Sequence, residues 1–128
     1  MRESIYRYFQ IGTILWMSYP PAMYSRENGG YEESLKKILK DDFFNAIEIT
    51  QIKDDGQREK TKALLEQSHM KVCYGAQPRL LSAGLNPNDL NEEKRKKAEQ
   101  TLREGIDEAC YLGAKGIAFL AGKWEEET

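Results

Sequence analysis

Four strand-length apolar runs, separated from one another by polar, helix-length stretches, leave this chain few folds to choose from. The runs are residues 9–18 (FQIGTILWMS), 46–52 (AIEITQI), 70–76 (MKVCYGA) and 116–121 (GIAFLA). Each is rich in strand formers and bounded by polar or turn-forming residues. Parallel strands need a long crossover between them, whereas antiparallel strands can be joined by a short turn. An order β-α-β-α-β-α-β therefore predicts an α/β protein with a four-stranded parallel sheet.

The intervening stretches carry helical periodicity. Over residues 31–40, Leu35, Ile38 and Leu39 fall on one face. Asp54 or Asp55 is placed to cap a helix over about residues 57–67, with Ala63 and Leu64 turned inward. The longest helix is expected over residues 92–112. Its apolar positions are Ala98, Leu102, Ile106 and Ala109, its N-cap is Asn91, and Gly113 ends it. The thirteen residues from 78 to 90 read as one long loop leaving the third strand.

The second strand carries an anomaly. A parallel strand buried on both faces reads as continuous aliphatic, yet Glu48 sits in the middle of this one. Its carboxylate must find a polar space, and the interior of a barrel near the C-terminal ends of its strands offers one. Unit length is consistent with a barrel: four βα units in 128 residues average 32 residues each, against about 31 in an eight-unit barrel. A complete, small doubly wound domain would have the same spacing.

With 128 residues, one domain spanning residues 1–128 is expected. A net charge of −2, with both signs interspersed along the helices, gives no nucleic-acid surface. No apolar stretch approaches the roughly 20 residues of a membrane helix, and the polar N-terminus lacks a signal peptide. Cys73 and Cys110 form no CxxC pair and no Cys/His cluster. A cytoplasmic protein with reduced thiols is the expectation. Gly29-Gly30 lies outside GxGxxG spacing, and neither GxSxG nor HExxH occurs.

Four segments together resemble the sugar phosphate isomerase/epimerase family of xylose-isomerase-like barrels. FFNAIEI, ending at Ile49, is similar to the family's second strand with its acidic residue. LLEQSHMKV, ending at Val72, resembles the helix leading into strand three. NPNDLNEEKR, ending at Arg95, resembles the entry to the third helix. IDEACYLGAK, ending at Lys115, resembles the helix-to-strand turn A-x-x-L-G-A. The resemblance covers most of the chain and implies the N-terminal half of a (β/α)₈ barrel. It implies a metal-dependent isomerase or epimerase as parent, acting on a sugar or sugar phosphate. The family holds its divalent metal with Glu, Asp and His at the ends of strands five to eight. The expectation is thus a fragment with no metal ligands and no catalytic residue of its own, inactive alone.

Substrate contacts are expected from strand ends. Glu48 is the first candidate, as a hydroxyl contact or as an interior carboxylate paired with a Lys or Arg elsewhere in the barrel. Gln77, just past strand three, either binds substrate or anchors its loop. Trp16, with Met17 and Tyr19, can form an apolar wall for a sugar ring or simply be core. Lys123, past strand four beside Trp124, can meet a phosphate or remain solvated. His69 precedes strand three, at the opposite end, where a structural role is expected. The ends of strands three and four carry no histidine, unlike the family's endonuclease-like relatives, whose metal site uses histidines there.

Half a barrel has two free strand edges. Such a chain is expected to pair with its missing half or with a second copy. The alternative is a complete small α/β interaction domain without catalysis.

Overall fold

The computed structural model describes residues 5–20, 22 and 29–122. A 3₁₀ turn (Ile5–Arg7) precedes β1 (Gly12–Ile14) and a single helical turn, α1 (Leu15–Ser18). There follow α2 (Gly29–Leu39), β2 (Ala46–Ile49), α3 (Asp55–Gln67) and β3 (Lys71–Gly75). The last described elements are α4 (Gln77–Ser82), α5 (Glu92–Tyr111) and β4 (Gly116–Ala118). The four strands form one parallel sheet in the order β1-β2-β3-β4.

That order bears on where the helices lie. Every crossover moves the chain one strand in the same direction, and crossovers of one hand then place every helix on one face. A doubly wound sheet needs a reversal of strand order to place helices on the second face. Here the sheet is singly wound. Ile47, Ile49, Val72 and Tyr74 face the helices and join Leu35 and Ile38 of α2, Leu65 of α3, and Ala109 and Leu112 in one buried cluster. Burying each such large aliphatic contributes roughly 1.5–3 kcal/mol.

The opposite face carries small residues. The register aligns Gly12 with Ala46 and Lys71, Ile14 with Glu48, Cys73 and Gly116, and Gly75 with Ala118. Gly12, Gly116 and Ala118 on this side are exposed.

Several local expectations change. The apolar run 9–18 pairs only over Gly12–Ile14 and then turns into α1, because a short apolar run reads alike as buried strand or buried helix. Trimming at the ends shortens the second strand from 46–52 to Ala46–Ile49, the third from 70–76 to Lys71–Gly75 and the fourth from 116–121 to Gly116–Ala118. Part of the presumed 78–90 loop is α4, with Pro78 in its first turn, where the missing N–H costs nothing.

In α3 the cap is Asp54, which accepts from the Gln57 N–H at 2.7 Å. Its buried seam is Thr61 and Leu65, whereas Ala63 is exposed. Thr61 is buried cheaply because its hydroxyl donates to the Gln57 carbonyl at 2.7 Å. In α5, Asn91 accepts from the Lys94 N–H, and Gly113, at φ 74°, follows the last turn. Ile106 does not face inward: it is 46% exposed. Eight residues on from Ala98, it has rotated about 80° off the seam, which runs instead through Gly105, Ala109 and Leu112. Among the described residues, no helix is long and apolar enough to cross a membrane.

Candidate functional site

In a parallel sheet all strands end on the same side, so residues just past β1, β2 and β3 become neighbours however far apart they lie in sequence. Trp16 sits in α1, directly after β1; Glu48 is the third residue of β2; Gln77 opens α4, two residues past β3. All three converge on Gly75. A methyl group added at Gly75 would lie 2.6 Å from Glu48 Oε1, 2.7 Å from Gln77 Oε1 and 2.7 Å from Trp16 Cη2. Gly75 has no positive φ, so glycine is required here for space and not for backbone conformation.

The strand ends that carry the cluster are fixed to one another. Thr50 Oγ1 donates to the Gly75 carbonyl at 2.7 Å, and the Ala76 N–H donates to the Ala118 carbonyl at 2.7 Å. Below the cluster, the uncovered sheet face forms a trough of about 590 Å³, lined among others by Gly12, Ile14, Met17, Ala46, Glu48 and Cys73.

Polar groups at the site lack partners. Gln77 Oε1 is buried and accepts no hydrogen bond. The Glu48 side chain is half-buried and, among the described residues, its carboxylate makes no ion pair or hydrogen bond. Burial raises its pKa above the ordinary carboxylate value. The expected pairing of Glu48 with a Lys or Arg is therefore not made within the described residues, nor does Gln77 Oε1 anchor a loop.

The remaining candidates divide. Met17 lines the trough but is 69% exposed. Tyr19 is partly buried and packs against the core. Lys123 and Trp124 lie outside the described residues. His69 is exposed at the N-terminal end of β3, away from the cluster. Cys73 and Cys110 are free thiols; Cys73 stands beside Glu48 in the register, on the trough floor. Sequence reasoning missed Gly75 and Cys73. The signal for Gly75 was present: a glycine closing a strand of β-formers marks a close approach.

A second polar constellation lies on the other side of the sheet. The Glu108 carboxylate of α5 is 6% exposed and accepts four hydrogen bonds. Oε1 takes the Ile52 N–H and Arg58 Nε, both at 3.1 Å; Oε2 takes the Tyr74 hydroxyl at 2.5 Å and Arg79 Nη2 at 2.7 Å. Arg79 Nε also donates to the Tyr74 hydroxyl at 2.8 Å. Gly105 lies beside the pair: a methyl group there would make ordinary contacts, 3.5 Å from Arg79 Cδ and 3.7 Å from Tyr74 Cε1. Burial and the Glu108 bond raise the Tyr74 pKa. Burial alone would lower that of Arg79, but its bonds to Tyr74 and Glu108 outweigh it and raise it. The network joins β3, α3, α4 and α5, with Tyr74, Arg79 and Glu108 buried and Arg58 at its partly exposed edge, so it holds the helix layer together.

The cluster brings two acceptor oxygens and an indole together beside one glycine. No protein-family model matches the chain, and no curated protein matches it in sequence.

Proposed function

We propose that this chain is the N-terminal half of a (β/α)₈ barrel of the sugar phosphate isomerase/epimerase kind, and that Glu48, Gln77 and Trp16 form one wall of its sugar pocket. The reading is carried by the convergence of these three side chains over Gly75, at the C-terminal ends of adjacent parallel strands. Ligands of parallel α/β proteins bind at that end. A singly wound sheet with one bare face is also what four consecutive strands of a barrel would present. A sugar or sugar phosphate suits the cluster, offering hydroxyls to Glu48 and Gln77 and C–H groups to the indole.

Proton transfer next to a carbonyl needs two acid/base groups across the substrate and a cation for the developing charge. Glu48 is the one carboxylate placed at the cluster. Among the described residues no group of three or more His, Cys, Asp or Glu could hold a metal. In such a parent the other half-barrel would supply the ligands of the divalent metal, while Glu48, Gln77 and Trp16 bind and orient the substrate. In this reading the chain alone is inactive. It pairs with the other half-barrel or with a second copy, in a reducing, cytoplasmic compartment that suits its two free thiols.

Sedimentation velocity at micromolar concentration tests the reading. Self-association, or a defined complex with the second half, is the expected result. A stable, well-folded monomer would count against the half-barrel and favour a complete small α/β interaction domain.

A further inference from the structure

A cavity of about 500 Å³ opens between α4, the loop that follows it and the chain leaving β4. It lies past the C-terminal ends of β3 and β4, the end at which parallel α/β proteins bind ligands, and shares no residue with the Gly75 cluster. The sequence builds its walls locally. Gly84, at φ 61°, ends α4 in the left-handed conformation; its N–H donates to the Leu81 carbonyl at 3.2 Å, and the Leu85 N–H to the Leu80 carbonyl at 2.9 Å. This helix stop returns the chain so that Leu80 and Leu85 line the same space. Asn86 Oδ1 then accepts from the Asn88 N–H at 2.8 Å, and Asn88 Nδ2 donates to the Ala121 carbonyl, which fixes the loop to the opposite wall. Leu81 and Leu120 complete the apolar lining, 66% and 44% exposed.

Two charged side chains, Asp89 and Lys94, line the same cavity and make no ion pair with each other. Asp89 Oδ1 accepts from the Asn91 N–H at 2.8 Å, which holds the carboxylate in place without neutralising it. Four residues to either side of Lys94 stand Leu90 and Ala98, so it lacks the partner that Lys96 finds in Glu92 and Arg103 in Glu99. An apolar anion entering the cavity meets Asp89, and an apolar cation meets Lys94; like charges brought together weaken binding. A zwitterion with an apolar body escapes both repulsions.

We propose that this cavity binds a free α-amino acid with an apolar side chain, its carboxylate at Lys94, its ammonium at Asp89 and its side chain among the four leucines. The volume lies within the range of small-molecule pockets, about 300–1,000 Å³, and a few charged groups on a mostly apolar lining are what orient such ligands. The assignment does not rest on the sugar pocket.

The test is calorimetric titration of the full chain with phenylalanine, N-acetylphenylalanine, phenylalaninamide and glycine, at about pH 6, where the free amino and carboxyl groups of these ligands are charged. Phenylalanine is expected to bind saturably and about tenfold tighter than either derivative, each of which loses one charged contact; glycine is expected not to bind. Lys94→Gln should erase the preference over the amide. Asp89→Asn should erase that over the acetyl derivative, and it keeps an oxygen for the Asn91 N–H. Leu81→Asn, at an exposed position, should weaken phenylalanine about threefold with an unchanged far-ultraviolet circular dichroism spectrum. The acetyl derivative binding as tightly as phenylalanine would overturn the proposal in favour of a peptide C-terminus. Preferences that survive both charge substitutions, or no saturable heat with any probe, would overturn the site and leave the sugar pocket untouched.

Discussion

Arg79 Nη2 meets Glu108 Oε2 at 2.7 Å inside the helix layer, with 8% and 6% of the two side chains exposed. The pair joins α4 to α5, and through Tyr74 it reaches the strand that ends in Gly75. A buried ion pair adds little over an apolar replacement of the same size, but removing one partner strands the other charge. Glu108→Ala is expected to cost about 3–5 kcal/mol by this rule, read from urea unfolding. The double variant Arg79→Met/Glu108→Leu should lose markedly less, because neither charge of the pair remains. A Glu108→Ala cost under about 1 kcal/mol, the range of exposed pairs, would show that the network is solvated.

None of this network was legible in the sequence, and the reason is physical. Glu108 looks like any charge on a helix and Arg79 like any charge in a loop, and such charges usually face water. The strands and long helices were legible because burial imposes its period on the sequence: Leu35 and Ile38 on α2, and Ala98 and Ala109 on α5. Asn91 was legible as a cap, and Asp54 as one of two neighbouring aspartates, because a short polar side chain at that position can accept from the first turn. Residues 15–18 were misread because Leu15, Trp16 and Met17 suit a strand as well as a helix. That Glu48, Gln77 and Trp16 share one end follows from parallel topology. That they touch over Gly75 does not, since it depends on strand register.

Gly75→Ala places a methyl group within 2.7 Å of three side chains at once. The backbone there tolerates alanine, so the cost is steric and falls on the cluster. A loss of about 1–3 kcal/mol, typical of overpacking, is expected. A changed Trp16 emission should accompany it in a Trp124→Phe background, which leaves Trp16 as the one tryptophan. An unaltered spectrum would mean that Trp16 does not lie against Gly75.

The two N-caps supply an independent check on the helices. Asp54→Ala and Asn91→Ala each remove the acceptor of a first-turn N–H and should each cost about 1 kcal/mol. The caps belong to different helices and share no partner, so the double variant should lose about the sum of the two single losses. Thermal unfolding followed by circular dichroism reads both.

Glu48 gives the chain a pH dependence of unusual sign. Most folded carboxylates have lowered pKa values, and acid removes the stability they contribute. Burial raises that of Glu48, so the folded state holds its proton more tightly than the unfolded chain does. Its ionisation therefore destabilises the fold. The penalty is absent below the ordinary carboxylate pKa, grows as pH rises toward the raised value, and is constant above it. Glu48→Gln removes the ionisable group and keeps the shape. It should raise the melting temperature at pH 7 by roughly 1–3 °C, a modest gain because a half-buried carboxylate is still partly screened by water. That advantage should vanish below about pH 4, where the carboxyl is protonated in both states. Melting curves of the two proteins from pH 3 to pH 8 check this. An advantage independent of pH would show that the substitution acts through packing, and a loss of stability at pH 7 would show that Glu48 has a cationic partner in the free chain.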